Sequence, residues 1–399
     1  MALCFTPQNH MMLVAAIAVL HLLQLVAVTP VLHAATNIAL PGCISKCGEV
    51  SVPYPFGIGA GCYREGFQLT CNETYNVPKL FVGNTRAEVL NISLHDGKLY
   101  INNGVVSVTG SNRYSMTWEI PLHNTIFTVS SVWNNFVVMG CGFDFLVSLP
   151  DAESPVARCS SLCLSEHPAV ATDGLCSGVG CCEASMPGAG SLYSIELASF
   201  QARNHMIMEE QPFNATVVLV EKQWWDKNDH FVLLQKAVSD GSAQSMQIKT
   251  AVKWSFSNLS CGDAQSSSDY GCRSYNSYCH DHWTGESSGS FCRCSYGYEG
   301  NPYIVNGCQD IDERAHPDIY QCFGQCINTE GSYDCVCPIG TSGNPQKPHG
   351  CIQDRKIFRI SCCCRSSQLW RPCASYFLCN SLEAKDKSPK SKAFENFFL

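Results

Sequence analysis

Charged residues are scarce in this 399-residue chain, 15 % of the total, and the basic ones are outnumbered 26 to 34. A deficit of Lys and Arg argues against a nucleic-acid binder, which needs positive surface to meet phosphates. An apolar content of 45 % equally excludes a disordered polyelectrolyte. Long amphipathic helical periods are few, which argues against a helical bundle. After Val31 no run of about eighteen apolar residues free of charge occurs, so no second membrane span is expected.

What is abundant is cysteine, with 27 residues. Disulfides do not persist in a reducing cytosol, so this density points to an oxidising compartment. The N-terminus agrees. Met11 to Val28 is almost wholly apolar, and Leu32-His33-Ala34 offers small or apolar residues where a signal peptidase cuts. Residues 1–34 are therefore expected to be a cleaved signal, and membrane attachment would require that it stay uncleaved. Sequons at Asn72, Asn91, Asn214 and Asn258 add candidate glycosylation sites. The mature chain is expected to be secreted into an extracellular, wall-facing space.

The cysteines fall into blocks between Cys43 and Cys182, Cys261 and Cys308, Cys322 and Cys351, and Cys362 and Cys379. Strand-like runs lie between them: Lys79 to Val82, Val89 to Leu94, Val105 to Thr109, Asn135 to Met139, Thr216 to Val220 and Phe231 to Leu234. The expected class is mainly β, a disulfide-rich multi-domain extracellular protein.

The block from Cys261 to Cys308 has the order C-x10-C-x6-C-x12-C-x-C-x13-C, with a glycine- and aromatic-rich segment at Ser295 to Gly300. Six cysteines allow fifteen pairings, and the spacing matches no common zinc site. The block resembles an EGF-like module. The next resembles the calcium-binding kind, with Asp310-Ile311-Asp312-Glu313 followed by Cys326-x-Asn328-x4-Tyr333-x-Cys335-x-Cys337. Two tandem EGF-like modules would pair Cys261–Cys279, Cys272–Cys292 and Cys294–Cys308, then Cys322–Cys335 and Cys337–Cys351. Calcium takes six to eight oxygens. The resemblance would draw them from Asp310, Glu313 and Asn328 and from the carbonyls of Ile311 and Thr329. Arg314 stands where that pattern expects a cysteine, which leaves Cys326 without a partner.

The N-terminal block completes the resemblance. Cys43-x3-Cys47-Gly48, Val52-Pro53-Tyr54-Pro55-Phe56-Gly57 and Cys62-Tyr63-Arg64-x2-Phe67-x-Leu69-Thr70-Cys71-Asn72 resemble the galacturonan-binding domain of plant wall-associated receptor kinases. Phe136 to Cys141, Cys159-x3-Cys163 and Gly180-Cys181-Cys182 resemble the region that follows it there. Gly300-Asn301-Pro302-Tyr303 and Gly343-Asn344-Pro345 match the family's EGF-like segment. The resemblance implies a binding domain at 35–125, a second cysteine-containing β-rich region at 126–260, an EGF-like module at 261–308 and a calcium-binding one at 310–351. Residues 352–399 form a basic tail that is expected to be poorly ordered.

The family continues into a transmembrane helix and a kinase. No glycine-rich phosphate loop, VAIK-like lysine, HRD or DFG is found in these 399 residues. Gly285 to Gly289 spells G-x-S-x-G, but in a polar loop without a flanking strand and helix. His280-Asp281-His282 could suggest a metal, yet such loop residues are usually solvated. Catalysis is not expected. The implied function is binding of acidic wall polysaccharide, pectin or oligogalacturonide, with calcium as cofactor and the EGF-like pair as spacer. The alternative is a protein-interaction module, or a soluble decoy of the receptor, with extracellular proteins as partners. Arg64 and Lys79 are the favoured carboxylate partners, and Tyr54 and Tyr63 the favoured stacking residues. Residues 43 to 120 hold six basic residues and six acids, so any cationic groove must be local.

Overall fold

The computed structural model describes residues 38–150, 157–162, 176, 178–199, 212–226, 230–268, 270–282 and 289–353. The signal, the G-x-S-x-G letters up to Ser288 and the tail beyond Gln353 lie outside the described residues. The chain divides into two units, one running to Ile311 with Glu330–Ser332, the other comprising Asp312–Thr329 and the chain from Tyr333 on.

The first unit begins with a small ribbon of β1 (Lys46–Cys47) and β2 (Val50–Ser51). Then come β3 (Gly57–Ile58), β4 (Gln68–Asn72), β5 (Lys79–Val82), β6 (Glu88–Ser93) and β7 (Lys98–Asn102). After β8 (Val106–Gly110) and β9 (Arg113–Glu119), β10 (Thr128–Val129) precedes β11 (Asn134–Gly140) and β12 (Phe143–Ser148). β13 (Ala157–Ser161), β14 (Cys181–Ser185), β15 (Leu192–Ser199) and β16 (Phe213–Glu221) lead to two helices, α1 (Lys222–Asp226) and α2 (His230–Ser239). β17 (Lys249–Lys253) closes the series.

These strands make three large sheets. The first has seven strands in the order β10-β17-β7-β6-β5-β4-β3, so β17 returns about 150 residues later to pair with β7. The strand-forming logic is alternation: in Lys79–Val82, Leu80 and Val82 are buried while Lys79 and Phe81 look outward. The other two sheets, β14-β11-β16-β8 and β13-β12-β15-β9, face each other. Phe136, Phe145 and Tyr193 meet between them at centroid distances of 5.7–5.9 Å. β11 and β16 are covered on both sides, which is why their sequences are continuous apolar runs.

The second cover is α2. Phe231 to Leu234, expected as a strand, is helical. The reason is the period: Phe231 and Leu234 are buried together three residues apart, while Val232 and Leu233 are half exposed. Alternation would have paired Phe231 with Leu233 instead.

Buried polar links join the sheets, among them the Thr250 hydroxyl donating to the Leu219 carbonyl. Asn134 donates to the carbonyls of Ser130 and Ala251 and accepts from the Ala251 N–H. Buried Lys98 meets buried Glu221 at 3.4 Å and lies over the Trp133 ring. Removing either partner would leave an uncompensated interior charge.

The first EGF-like module belongs to the same unit. It holds α3 (Cys261–Ala264), the hairpin β18 (Ser277–Asp281) with β19 (Ser290–Cys294), and β20 (Tyr298–Gly300) with β21 (Cys308–Asp310). Its Tyr303 stacks on Phe256 at 4.7 Å, beside Trp254. Trp254 in turn packs on Phe56 and Phe67. The module is therefore welded to the sheet core through aromatic rings. In the second unit, β22 (Gln325–Thr329) pairs with β23 (Ser332–Val336), and β24 (Thr341–Gly343) with β25 (Cys351–Gln353).

Disulfides in the first unit join Cys43–Cys62, Cys47–Cys71, Cys159–Cys182 and Cys176–Cys181, and Cys141 is also bonded. The first module has Cys261–Cys279, Cys272–Cys292 and Cys294–Cys308. The second unit has Cys322–Cys335 and Cys337–Cys351, with Cys326 a free thiol.

Candidate functional site

The candidate site lies on the outward face of the seven-stranded sheet. In antiparallel strands, residues directly opposite one another share a face. Thr70 stands opposite Phe81, Phe81 opposite Glu88, Glu88 opposite Asn102, and Asn102 opposite Lys249. The register thus lays one row of outward side chains across five strands. From β5 to β17 it spans roughly 14 Å, three inter-strand spacings. Asn91 and Tyr100 form part of a neighbouring row.

At one end the Lys79 ammonium sits 5.0 Å from the Tyr75 ring and 3.0 Å from Glu88. Tyr75 is 6.2 Å from Phe81, so two aromatic faces lie side by side. In the middle, Asn102 donates to the second Glu88 oxygen, which quiets the one acid of the row. At the other end Lys249 lies 4.8 Å over Tyr100. Lys249 has no carboxylate partner among the described residues. Burial, reinforced by Glu221 and Asp96, pushes the Tyr100 phenol up to about 12. It therefore stays protonated, and can donate, at any physiological pH. Stacking rings flanked by ammonium groups suit sugar rings bearing carboxylates.

The residues expected from the sequence are distributed differently. Lys79 is on this face. Arg64 instead stacks 4.0 Å over Phe256. Tyr54 and Tyr63 are half buried against the core, and the Tyr54 carbonyl accepts from Asn301. Phe56 and Phe67 are fully buried. Arg64 and Lys79 thus serve different neighbours. Tyr75, Phe81, Tyr100 and Lys249 were missed. Alternation in Lys79–Val82 could have signalled Phe81, but nothing local to Lys249 announces that β17 joins this sheet.

The His280-Asp281-His282 run is not a solvated loop. His280 and Asp281 belong to β18, and His282 follows, beside Phe291 at 4.6 Å. Its Nε2–H donates to the Trp254 carbonyl. The glycine of the β6–β7 turn makes this approach possible: a Cβ on Gly97 would stand 3.0 Å from the His282 ring. No group of three or more His, Cys, Asp or Glu suited to a metal occurs among the described residues.

Of the calcium candidates, Asp310 ends β21 and accepts from the Gly331 N–H, and the Ile311 N–H donates to Gly297. Both belong to the first unit. Glu313, Asn328 and Thr329 belong to the second. Glu313 is 2 % exposed, and its Oε2 has no hydrogen-bond partner. Arg314 does not face these groups with a bare charge: it grips Asp312 through two hydrogen bonds of 2.7 and 2.8 Å. The sequons Asn91, Asn214 and Asn258 are exposed and Asn72 is half exposed. Asn72 accepts from both the backbone and the hydroxyl of Thr74.

Residues 43–103 match the model of the wall-associated receptor kinase galacturonan-binding family. Over longer stretches the chain is similar to three proteins of Arabidopsis thaliana. It is 33 % identical to wall-associated receptor kinase 2 over 75 % of this chain and 38 % of that protein. It is 31 % identical to wall-associated receptor kinase 5 over 76 % of this chain and 39 % of that protein. It is 30 % identical to wall-associated receptor kinase-like 6 over 73 % and 48 %. The chain thus spans less than half the length of these relatives. No solved structure matches it. No helix among the described residues is long and apolar enough to cross a membrane.

Proposed function

The chain belongs to the wall-associated receptor kinase family, matching the extracellular region of its members, and from this premise we propose that it binds de-esterified galacturonan on the outer face of its seven-stranded sheet. The observation that carries the reading is Lys249, a cation over Tyr100 without an acid partner among the described residues, at the far end of the register row that holds Phe81 of the Tyr75–Phe81 platform. Sugar rings would lie along the aromatic faces, and uronate carboxylates would meet Lys79 and Lys249. The net charge of −8 opposes polyanion binding at long range, so affinity would come from these contacts and not from steering.

Calorimetry of the secreted chain with oligogalacturonides, and with fully methyl-esterified pectin as the neutral control, tests this. Lys249→Ala should weaken oligogalacturonide binding about tenfold, the scale of one charge-assisted contact. Undiminished affinity in Lys249→Ala, or no heat from the folded wild type, would overturn it.

The second unit is proposed to bind calcium through Glu313 and Asn328. A buried carboxylate oxygen without a hydrogen bond is costly unless a cation meets it, and Glu313 Oε2 fits that description. Calcium there would supply that compensating charge and rigidify the turn. Glu313→Gln should abolish calcium-induced protection of residues 312–353 from hydrogen exchange. Protection that is unchanged by calcium in the wild type would overturn it.

A further inference from the structure

We propose that the first EGF-like module supplies a second carboxylate subsite, centred on Arg293, to the same polysaccharide surface. This rests on the galacturonan reading above, and extends it to a module that the family match at 43–103 does not include.

Arg293 stands on β19 directly opposite Tyr278, and its guanidinium lies 5.1 Å from the Phe291 ring. Its Nε is buried with no acceptor, and no carboxylate pairs with it among the described residues. Around it basic side chains accumulate. Next on the same hairpin face is His280, whose Nδ1 is also buried without a partner. Burial first, then Arg293 and also His95, hold the His280 imidazole below its ordinary value. His282 is lowered to about 4 by burial, with Lys253, His280 and Arg293 adding to the effect.

The acids facing this group are few. Asp281 accepts from the Cys261 N–H, and Asp96, next to His95, accepts from Ser93. Burial is the main cause of both depressions and Arg293 adds to them, and the guanidinium has no carboxylate partner among the described residues. A carboxylate binding Arg293 in a fork would supply the acceptor and offset that charge.

The position suits one long ligand. Asp96 lies within electrostatic reach of Tyr100 on the sheet face, and His95 within reach of His280. The β6–β7 turn packs on the β18–β19 hairpin, where a Cβ on Gly97 would stand 3.0 Å from the His282 ring and 3.1 Å from Phe291. A polyuronide long enough to pass that turn would present a further carboxylate to Arg293, whereas a short one would fill only the sheet row.

The test uses the full secreted chain and two galacturonan pools, one of trimers and one of chains of fifteen or more residues. Arg293→Gln should weaken binding of the long pool five- to tenfold and leave the trimers unchanged. Arg293→Lys keeps the charge but loses the fork, so it should weaken the long pool only two- to threefold; it also guards against misfolding of the Gln variant. In the wild type, affinity for the long pool should rise between pH 7 and pH 5, because a bound carboxylate draws a proton onto His280. His280→Gln should flatten that rise. Long-chain affinity unchanged in Arg293→Gln, while Lys249→Ala weakens binding of both pools about tenfold, would overturn the subsite and leave the sheet site standing. Binding of neither pool by the folded wild type would instead overturn the galacturonan reading itself.

Discussion

The two EGF-like modules share one local frame and put it to opposite uses. In the first, the Asn301 N–H donates to Gly307, the Gly307 N–H to Ile304 and the Tyr303 N–H to the Asn301 side chain. In the second, Asn344, Gly350, Lys347 and Gln346 repeat each of these bonds within about 0.1 Å. Gly300 and Gly343 both have positive φ, and a Cβ at either would stand about 2 Å from a backbone oxygen. The frame is therefore set by backbone and disulfides. Side chains decide what it does. Asn301 is 1 % exposed and donates to the carbonyls of Ile38 and Tyr54, and Tyr303 is 2 % exposed. Their counterparts Asn344 and Gln346 are exposed. One aromatic residue after the Asn-Pro pair makes the first module part of a larger core.

The largest effect should come from breaking that weld. Tyr303→Ala removes the stack on Phe256 and the hydroxyl that accepts from the Cys292 N–H at 2.8 Å. Truncating a fully buried aromatic costs about 3–5 kcal/mol. Urea denaturation followed by tryptophan fluorescence should show this loss for the first unit. A change below about 1 kcal/mol would mean that the module folds without support from the sheet core.

A second difference can be erased instead. Cys261 in the first module is bonded to Cys279, whereas Arg314 stands at the corresponding position before free Cys326. The Arg314 turn packs on β22, which carries Cys326. Arg314→Cys should therefore close a third bridge. A short loop of this length contributes roughly 3 kcal/mol. Thiol labelling of residues 312–353 should fall to zero, and hydrogen-exchange protection there should increase. A persistent pair of thiols would show that the second module's frame has diverged at this corner.

The modules should also differ in acid. Burial holds His282 down to about 4, against an ordinary value near 6.5. Between those values the unfolded chain takes up a proton that the folded chain refuses. Stability of the first unit is thus full above about pH 6.5 and declines as pH falls towards 4, by less than about 1.4 kcal/mol per unit. Thr329 occupies the matching place, three residues after Cys326, so the second unit lacks this slope. Denaturation midpoints measured from pH 7 to pH 4 should fall in the wild type and flatten in His282→Gln.

Sequence pattern and structure part company where contacts are long-range. Lys79 to Val82 and Thr216 to Val220 were legible as strands because burial on one or both faces writes its period into the chain. Phe231 to Leu234 was not, since four apolar residues in a row fit either period until the packing partner is known. Of the proposed site, only Lys79 was legible. Lys249 reaches the sheet through a strand that returns after about 150 residues, and Arg64 looks like a ligand cation until Phe256 is seen beneath it. Asn-Pro-Tyr and Asn-Pro-Gln share a backbone frame, and the ring that tells them apart shows its role only where it is buried.

The smallest effect should be the mirror of the first prediction. Gln346 is exposed and contributes only its backbone N–H, which donates to the Asn344 side chain at 2.9 Å. Gln346→Ala keeps that bond and buries nothing less, so the change should stay within about 0.5 kcal/mol. Exchange protection of residues 344–351 would be the same in wild type and variant. A substantial loss would show that the Gln346 side chain is covered in solution, and would remove the asymmetry between the modules that Tyr303 otherwise defines.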